Sequence, residues 1–135
     1  MYNPGIVILV DYNIEGQAGM LWDTFLASNW RDLLPLQIVM FADVGLAPDS
    51  DDRAVWRFAQ AHRMLLLTNN RSANEANSLE QTIQEENTPT ALLVLTVGNV
   101  GRMKEKEYRE RCTERLIEIV VELDNYLGTG RLFIP

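Results

Sequence analysis

Cysteine, histidine and basic residues are scarce in this sequence, and so are long apolar runs. The 135 residues include one cysteine, one histidine and 12 Lys or Arg against 19 Asp or Glu, a formal net charge of −7. A lone Cys112 excludes an internal disulfide, and no zinc-ligand spacing is present. The longest apolar runs are as short as Met64–Leu67 and Ala91–Leu95. A membrane-spanning helix needs about 20 apolar residues, so no membrane partner is expected. Met1–Gly5 lacks the basic start and small-residue cleavage site of a secretory leader, and the cytoplasm is the expected location. The shortage of Lys and Arg argues against a sequence-independent nucleic-acid coat, because such binding is driven by cations displacing counterions from phosphates. It leaves open a nuclease whose carboxylates hold a metal that meets the phosphate. Trp22, Trp30 and Trp56 have no interleaved basic residues, as a base-stacking platform would need, and read as core or interface anchors. P-loop, dinucleotide-binding and serine-nucleophile motifs are all missing.

What is there is strand–helix alternation across a single domain, residues 1–135. Ile6–Val10 is a continuous aliphatic run, as in a strand buried on both faces. From Glu15 to about Trp30, Met20, Leu21, Phe25 and Leu26 recur at helical spacing. A second strand is expected over Leu36–Phe41 and a loop over Ala42–Pro48. Ser50 is the expected N-cap of a helix whose first turn carries Asp51 and Asp52, stopping near Arg63 with His62 capping free carbonyls. Met64–Thr68 and Ala91–Val97 read as strands, with a short helix from Ser78 to about Glu86 between them. Lys104–Leu127 carries an apolar stripe at Tyr108, Cys112, Leu116, Ile119, Leu123 and Leu127, and its pairs Glu105–Arg109 and Glu107–Arg111 have stabilising i,i+4 spacing. One helix over that segment would run about 36 Å. With Ile117, Val120 and Val121 the stripe widens enough to predict that part of it, with the edge strand Arg131–Ile134, contributes to a homo-oligomer (homodimer) or partner interface. The pattern as a whole predicts a three-layer α/β fold: a mostly parallel sheet of four or five strands, with helices on both faces.

In such sheets ligands bind beyond the carboxyl ends of the strands. Strand one ends in Asp11-Tyr12-Asn13, strand three in Thr68-Asn69-Asn70-Arg71, and Asp51 and Asp52 open the helix feeding strand three. Mg²⁺ takes oxygen ligands from one or two carboxylates and keeps several waters. Asp11 with Asp51 or Asp52, and Asn70 as a neutral oxygen donor, is a sufficient set for one such ion, and their side chains should converge. Each also has a plain structural use: Asp11 can cap the following turn, Asp51 and Asp52 suit a helix N-terminus, and Asn69-Asn70 suits a turn.

Val10-Asp11-Tyr12-Asn13-Ile14 resembles the strand-end aspartate motif that opens PIN and PIN-like domains. Gly45-Leu46, Ser50-Asp51-Asp52 and Met64–Thr68 follow it in the order of a compact bacterial PIN-like family. Ala61–Asn70 is similar to the last third of PIN-domain toxin ribonucleases. The likeness covers roughly Ile6 to Asn74. It implies Mg²⁺- or Mn²⁺-dependent cleavage of RNA, often as the toxin of a toxin–antitoxin pair, with an antitoxin-like protein as partner. Carried over, Asp11 and Asp52 match acidic metal ligands with Asp51 beside them, and Asp11, Asp52 and Asn70 form the catalytic set. Asn13, Thr68, Asn69 and Arg71 fall where substrate is positioned. The chain departs from the family pattern after the strand-three threonine, where Asn70 and Ser72 replace acidic residues. The family's intervening glutamate has no clear counterpart; Asp43 and Glu75 are the candidates to substitute, and no motif supports either. The alternative expectation is therefore a PIN-like module that has lost catalysis and acts through protein–protein contact or dimerisation.

Overall fold

A computed structural model describes residues 5–135; the leader-region reading of Met1–Pro4 lies outside them. Five strands, β1 (Ile6–Val10), β2 (Leu36–Val39), β3 (Met64–Thr68), β4 (Val94–Thr96) and β5 (Arg131–Phe133), form one sheet in the order β2-β1-β3-β4-β5. Every neighbouring pair is parallel. Helices α1 (Glu15–Leu26) and α5 (Lys106–Val121) cover one face, while α3 (Asp52–Ala61) and α4 (Leu79–Glu86) cover the other. A single turn, α2 (Phe41–Val44), joins β2 to the loop before α3.

The two-sided burial follows from alternation along the central strands. Ile8 and Val10 of β1, with Leu65 and Leu67 of β3, face α1 and α5, where Leu21, Tyr108, Cys112, Leu116 and Ile119 complete one cluster. Leu9 and Leu66 face the other way, onto Val55, Trp56, Ala59, Leu79 and Ile83.

Beyond one-residue shifts, such as β5 ending at Phe133 and β4 at Thr96, four boundaries differ from expectation, each for a local reason. The first helix ends at Leu26, and the Ser28 hydroxyl caps a separate 3₁₀ turn, Asn29–Asp32, by accepting from the Trp30 N–H. Strand two stops at Val39 because the Asp43 carboxylate accepts the Met40 N–H (2.8 Å), turning Phe41 into a helical turn that Gly45 closes at φ 78°. Strand four begins at Val94: the Gln60 side chain takes both the N–H and the carbonyl of Leu92, at 3.1 and 2.7 Å. The long final helix is 16 residues, Lys106–Val121, so it spans about 24 Å. A 3₁₀ turn, Leu123–Asn125, follows, and the chain then reverses through Gly128 at φ 80°.

The wide apolar arc of α5 is covered by its own chain. Tyr108, Cys112, Leu116, Ile117, Ile119 and Val120 are all buried, and Val121 alone of the arc is exposed. Most of the arc thus has no apolar surface left for a homo-oligomer or partner contact, while Val121 and, on the edge strand, Phe133 stay exposed. The expected i,i+4 pairs are not made either. Arg102 pairs with Glu105, Arg109 donates to the Met103 carbonyl, and Arg111 lies over the Tyr108 ring. Among the described residues no helix is long and apolar enough to cross a membrane.

Candidate functional site

From β1 the chain runs outward to β2, then returns to place β3 on the other flank of β1. That reversal opens a crevice beyond the carboxyl ends of β1 and β3, where side chains can converge without blocking the sheet's own hydrogen bonds. A small cavity of about 50 Å³ lies there, lined by Asp11, Asn13, Ser50, Asp52, Thr68 and Asn70 together with apolar neighbours.

Asp11 follows β1 directly, and its N–H donates to the Leu67 carbonyl (2.9 Å), which holds it against the end of β3. Its Oδ2 accepts from the Thr68 hydroxyl at 2.6 Å, and its Oδ1 accepts from the Asn13 N–H at 3.3 Å. The capping role expected of Asp11 and its place in the cavity thus coexist, because a carboxylate offers about four lone-pair sites. Thr68, fully buried, also accepts the Asn70 N–H at 3.0 Å. Asp52 opens α3, and its Oδ2 accepts from the Asn70 side-chain amide and from the Leu79 N–H, both at 2.9 Å. Residues distant in sequence are joined in one chain of contacts: Asp11, Thr68, Asn70, Asp52.

Asp51, not Ser50, is the N-cap of α3: its Oδ1 accepts the Ala54 N–H (2.8 Å), while the Ser50 hydroxyl donates to the Ala47 carbonyl (2.8 Å). A cap accepts from the N–H groups of the first turn, so Asp51 faces its own helix and lies outside the cavity lining. Asn69 and Arg71 are also outside that lining, and Arg71 is exposed. Asp43 serves the Met40 N–H and Glu75 sits on an exposed loop, so neither supplies the missing acid. His62 caps α3 as expected, its Nδ1 3.0 Å from the Phe58 carbonyl oxygen, away from the cavity.

Sequence reasoning passed over Arg131. Its Nη1 donates to the Asn70 carbonyl and to the Thr68-neighbouring strand's Thr96 hydroxyl, both at 2.7 Å, and its Nη2 pairs with Glu80 at 3.2 Å. Burial pulls this guanidinium below its ordinary value, with Glu80 opposing. A lone basic residue in a short edge strand carries no local sign of such a role.

The donors around the cavity are oxygens and amides. Among the described residues no group of three or more His, Cys, Asp or Glu side chains comes together as a metal cage. Two carboxylate residues, Asp11 and Asp52, line the cavity instead, and they are the ones that could hold a divalent ion such as Mg²⁺, which binds proteins through one or two carboxylates. Comparison of the chain with family models, curated proteins and solved structures finds no match to any of them. The molecule is thus defined by its fold and cavity: an all-parallel, three-layer α/β domain with an acidic crevice at the switch point of its sheet.

Proposed function

We propose that this chain is a PIN-like, divalent-metal-dependent phosphodiesterase acting on RNA. The observation that carries the reading is the convergence of Asp11 and Asp52 on one cavity, bridged by Thr68 and Asn70. The strand order alone selects no chemistry, since doubly wound sheets host many unrelated activities.

Asp11 and Asp52 would hold Mg²⁺ or Mn²⁺. The chemistry such an ion would supply is a lowered pKa for an attacking water and screening of charge on the leaving oxygen. The protein's own part is to aim those carboxylates. The Thr68 hydroxyl donates to Asp11 Oδ2 and the Asn70 amide to Asp52 Oδ2, so the Oδ2 of each acid is fixed by a neutral side-chain donor. Asn13 lines the mouth, where its amide can orient a phosphate or water. The test is a Mn²⁺ titration of the labelled protein followed by NMR, paired with cleavage of a labelled single-stranded RNA. Paramagnetic line broadening centred on Asp11, Asp52, Thr68 and Asn70, with cleavage lost in Asp11→Asn, supports the reading. A chain that takes up no Mn²⁺ ends it.

A second reading, a PIN-like module acting through a protein partner, is favoured by a different observation. Between α1 and α5 runs an open groove of about 1050 Å³, with Met20 and Trp30 exposed along it and Asp23 and Glu114 on opposite walls. Capture of an antitoxin-like partner that Trp30→Ala abolishes, in a protein without Mn²⁺ uptake, would select this reading.

A further inference from the structure

We propose that Arg131 is a positioning residue of the Asp11–Asp52 site, acting from the edge strand β5 through the backbone of Asn70. The proposal rests on the metal-site reading above. Beyond Thr68, β3 has left the sheet, and no backbone–backbone hydrogen bond secures Asn70. Its four polar groups are all engaged nonetheless. The N–H meets Thr68, the side-chain nitrogen meets Asp52, the side-chain oxygen accepts the Ser72 N–H at 2.9 Å, and the carbonyl accepts from Arg131. Of these partners, only Arg131 reaches Asn70 from a separate strand of the sheet and carries a charge.

The Arg131 side chain is about nine-tenths buried, at 10% exposure, and its Nε–H has no partner. Burying a cation with an unsatisfied donor is costly, and replacing such a group by a well-packed apolar one is often neutral or stabilising. A purely structural contact between β5 and α4 has no need of it. What the guanidinium provides, and an apolar side chain does not, is a fork: one nitrogen joins the Asn70 carbonyl to Thr96 while the other holds Glu80. The loop carrying Asn70 is thereby pinned to β4 and α4 together. At the loop's far end a second guanidinium, Arg53, donates to the Ala76 carbonyl at 2.8 Å and the Asn77 side chain at 3.1 Å. The exposed residues 71–77 hang between these two anchors. If the Arg131 anchor is released, Asn70 shifts, and Asp52 Oδ2 is left with the Leu79 N–H as its one remaining donor.

The experiment follows Asn70 and Leu79 directly in ¹⁵N-labelled Arg131→Met, Arg131→Lys and Glu80→Gln, each titrated with Mn²⁺. In Arg131→Met, faster hydrogen exchange is expected at the Leu79 N–H and the Asn70 side-chain amide, with exchange in β1 unchanged. Mn²⁺ affinity should fall by about 10-fold or more, the usual scale for losing a group that orients a metal ligand. Glu80→Gln leaves the Nη1 contacts in place and keeps a neutral acceptor for Nη2, so exchange at Asn70 and Mn²⁺ affinity should change less than in Arg131→Met, which a general loosening of α4 would not produce. Arg131→Lys should fall between, because one ammonium lacks the planar fork. Wild-type exchange at Asn70 and Leu79 in Arg131→Met overturns the proposal. Should that variant not fold, wild-type values in Arg131→Lys overturn it instead. If the wild-type protein takes up no Mn²⁺ the metal reading fails, and the exchange data still decide the role of Arg131.

Discussion

Asn70 spends every polar group it has on its surroundings, so changing it should be felt twice. Asn70→Ala strands part of the Asp52 hydrogen bonding and should destabilise the fold by about 1–3 kcal/mol in urea titrations. Asn70→Asp adds a carboxylate beside Asp52. We expect a lower melting temperature without metal, tighter Mn²⁺ binding, and recovery of stability when Mn²⁺ is added, which calorimetry with and without the ion would show. Outside the cavity lining, Glu86 is held down at about 2 from an ordinary 4.5, first by its hydrogen bond to Arg57 and also by Arg53, against burial acting the other way. A depressed carboxylate contributes stability that is present above its unfolded value and is lost as pH falls through the folded one. Urea midpoints should therefore decline between about pH 4.5 and 2, and Glu86→Gln should flatten that decline. Cys112 is fully buried, and burial pushes its thiol up to about 11. It should resist alkylation in native buffer and react at once in denaturant. At this scale the sequence was informative about Asp11, Asp52 and Thr68, because each sits at the end of an unmistakable strand or the start of a helix. It was silent on Arg131, whose partners lie on three other elements, and misleading on Asp51, where a cap and a ligand look alike in one dimension.

Elements were legible where side-chain pattern decides them and illegible where a distant side chain does. The limits of β1 and β3 follow from uninterrupted aliphatic runs, and they match the structure residue for residue. The start of β4 does not follow from its own residues at all: Ala91–Leu93 are as buried as any strand, but Gln60 of α3 occupies the Leu92 backbone. The final helix is shorter than its stripe suggests because the apolar spacing continues past Val121 while the helical backbone does not. What ends that segment is Gly128, whose N–H donates to the Ala91 carbonyl and whose carbonyl accepts from Asn87. A Cβ at this position would sit 2.6 Å from the Pro89 carbonyl oxygen, with φ at +80° besides. Gly128→Ala should cost more than about 1 kcal/mol, measured by urea denaturation, because both the close approach and the left-handed backbone oppose it.

On the scale of the whole molecule, the α/β class and the parallel sheet were readable because alternation of buried strands with helices admits few other arrangements. Where the strands lie relative to one another was not, since crossover direction leaves no mark on composition. That unreadable part, the return of β3 to the free flank of β1, is what brings Asp11 and Asp52 together. The two faces of the sheet share β1 and β3, so probes on either side should report one cooperative unfolding transition. The clamp on Asn70 has a further consequence in the order of synthesis. The strand that carries Arg131 leaves the ribosome after every other element of the sheet, and domains assemble as the chain emerges. On the proposed role of Arg131, Asp11 is anchored on β3 as soon as that strand pairs, while the Asn70 that steadies Asp52 gains its clamp only when β5 docks.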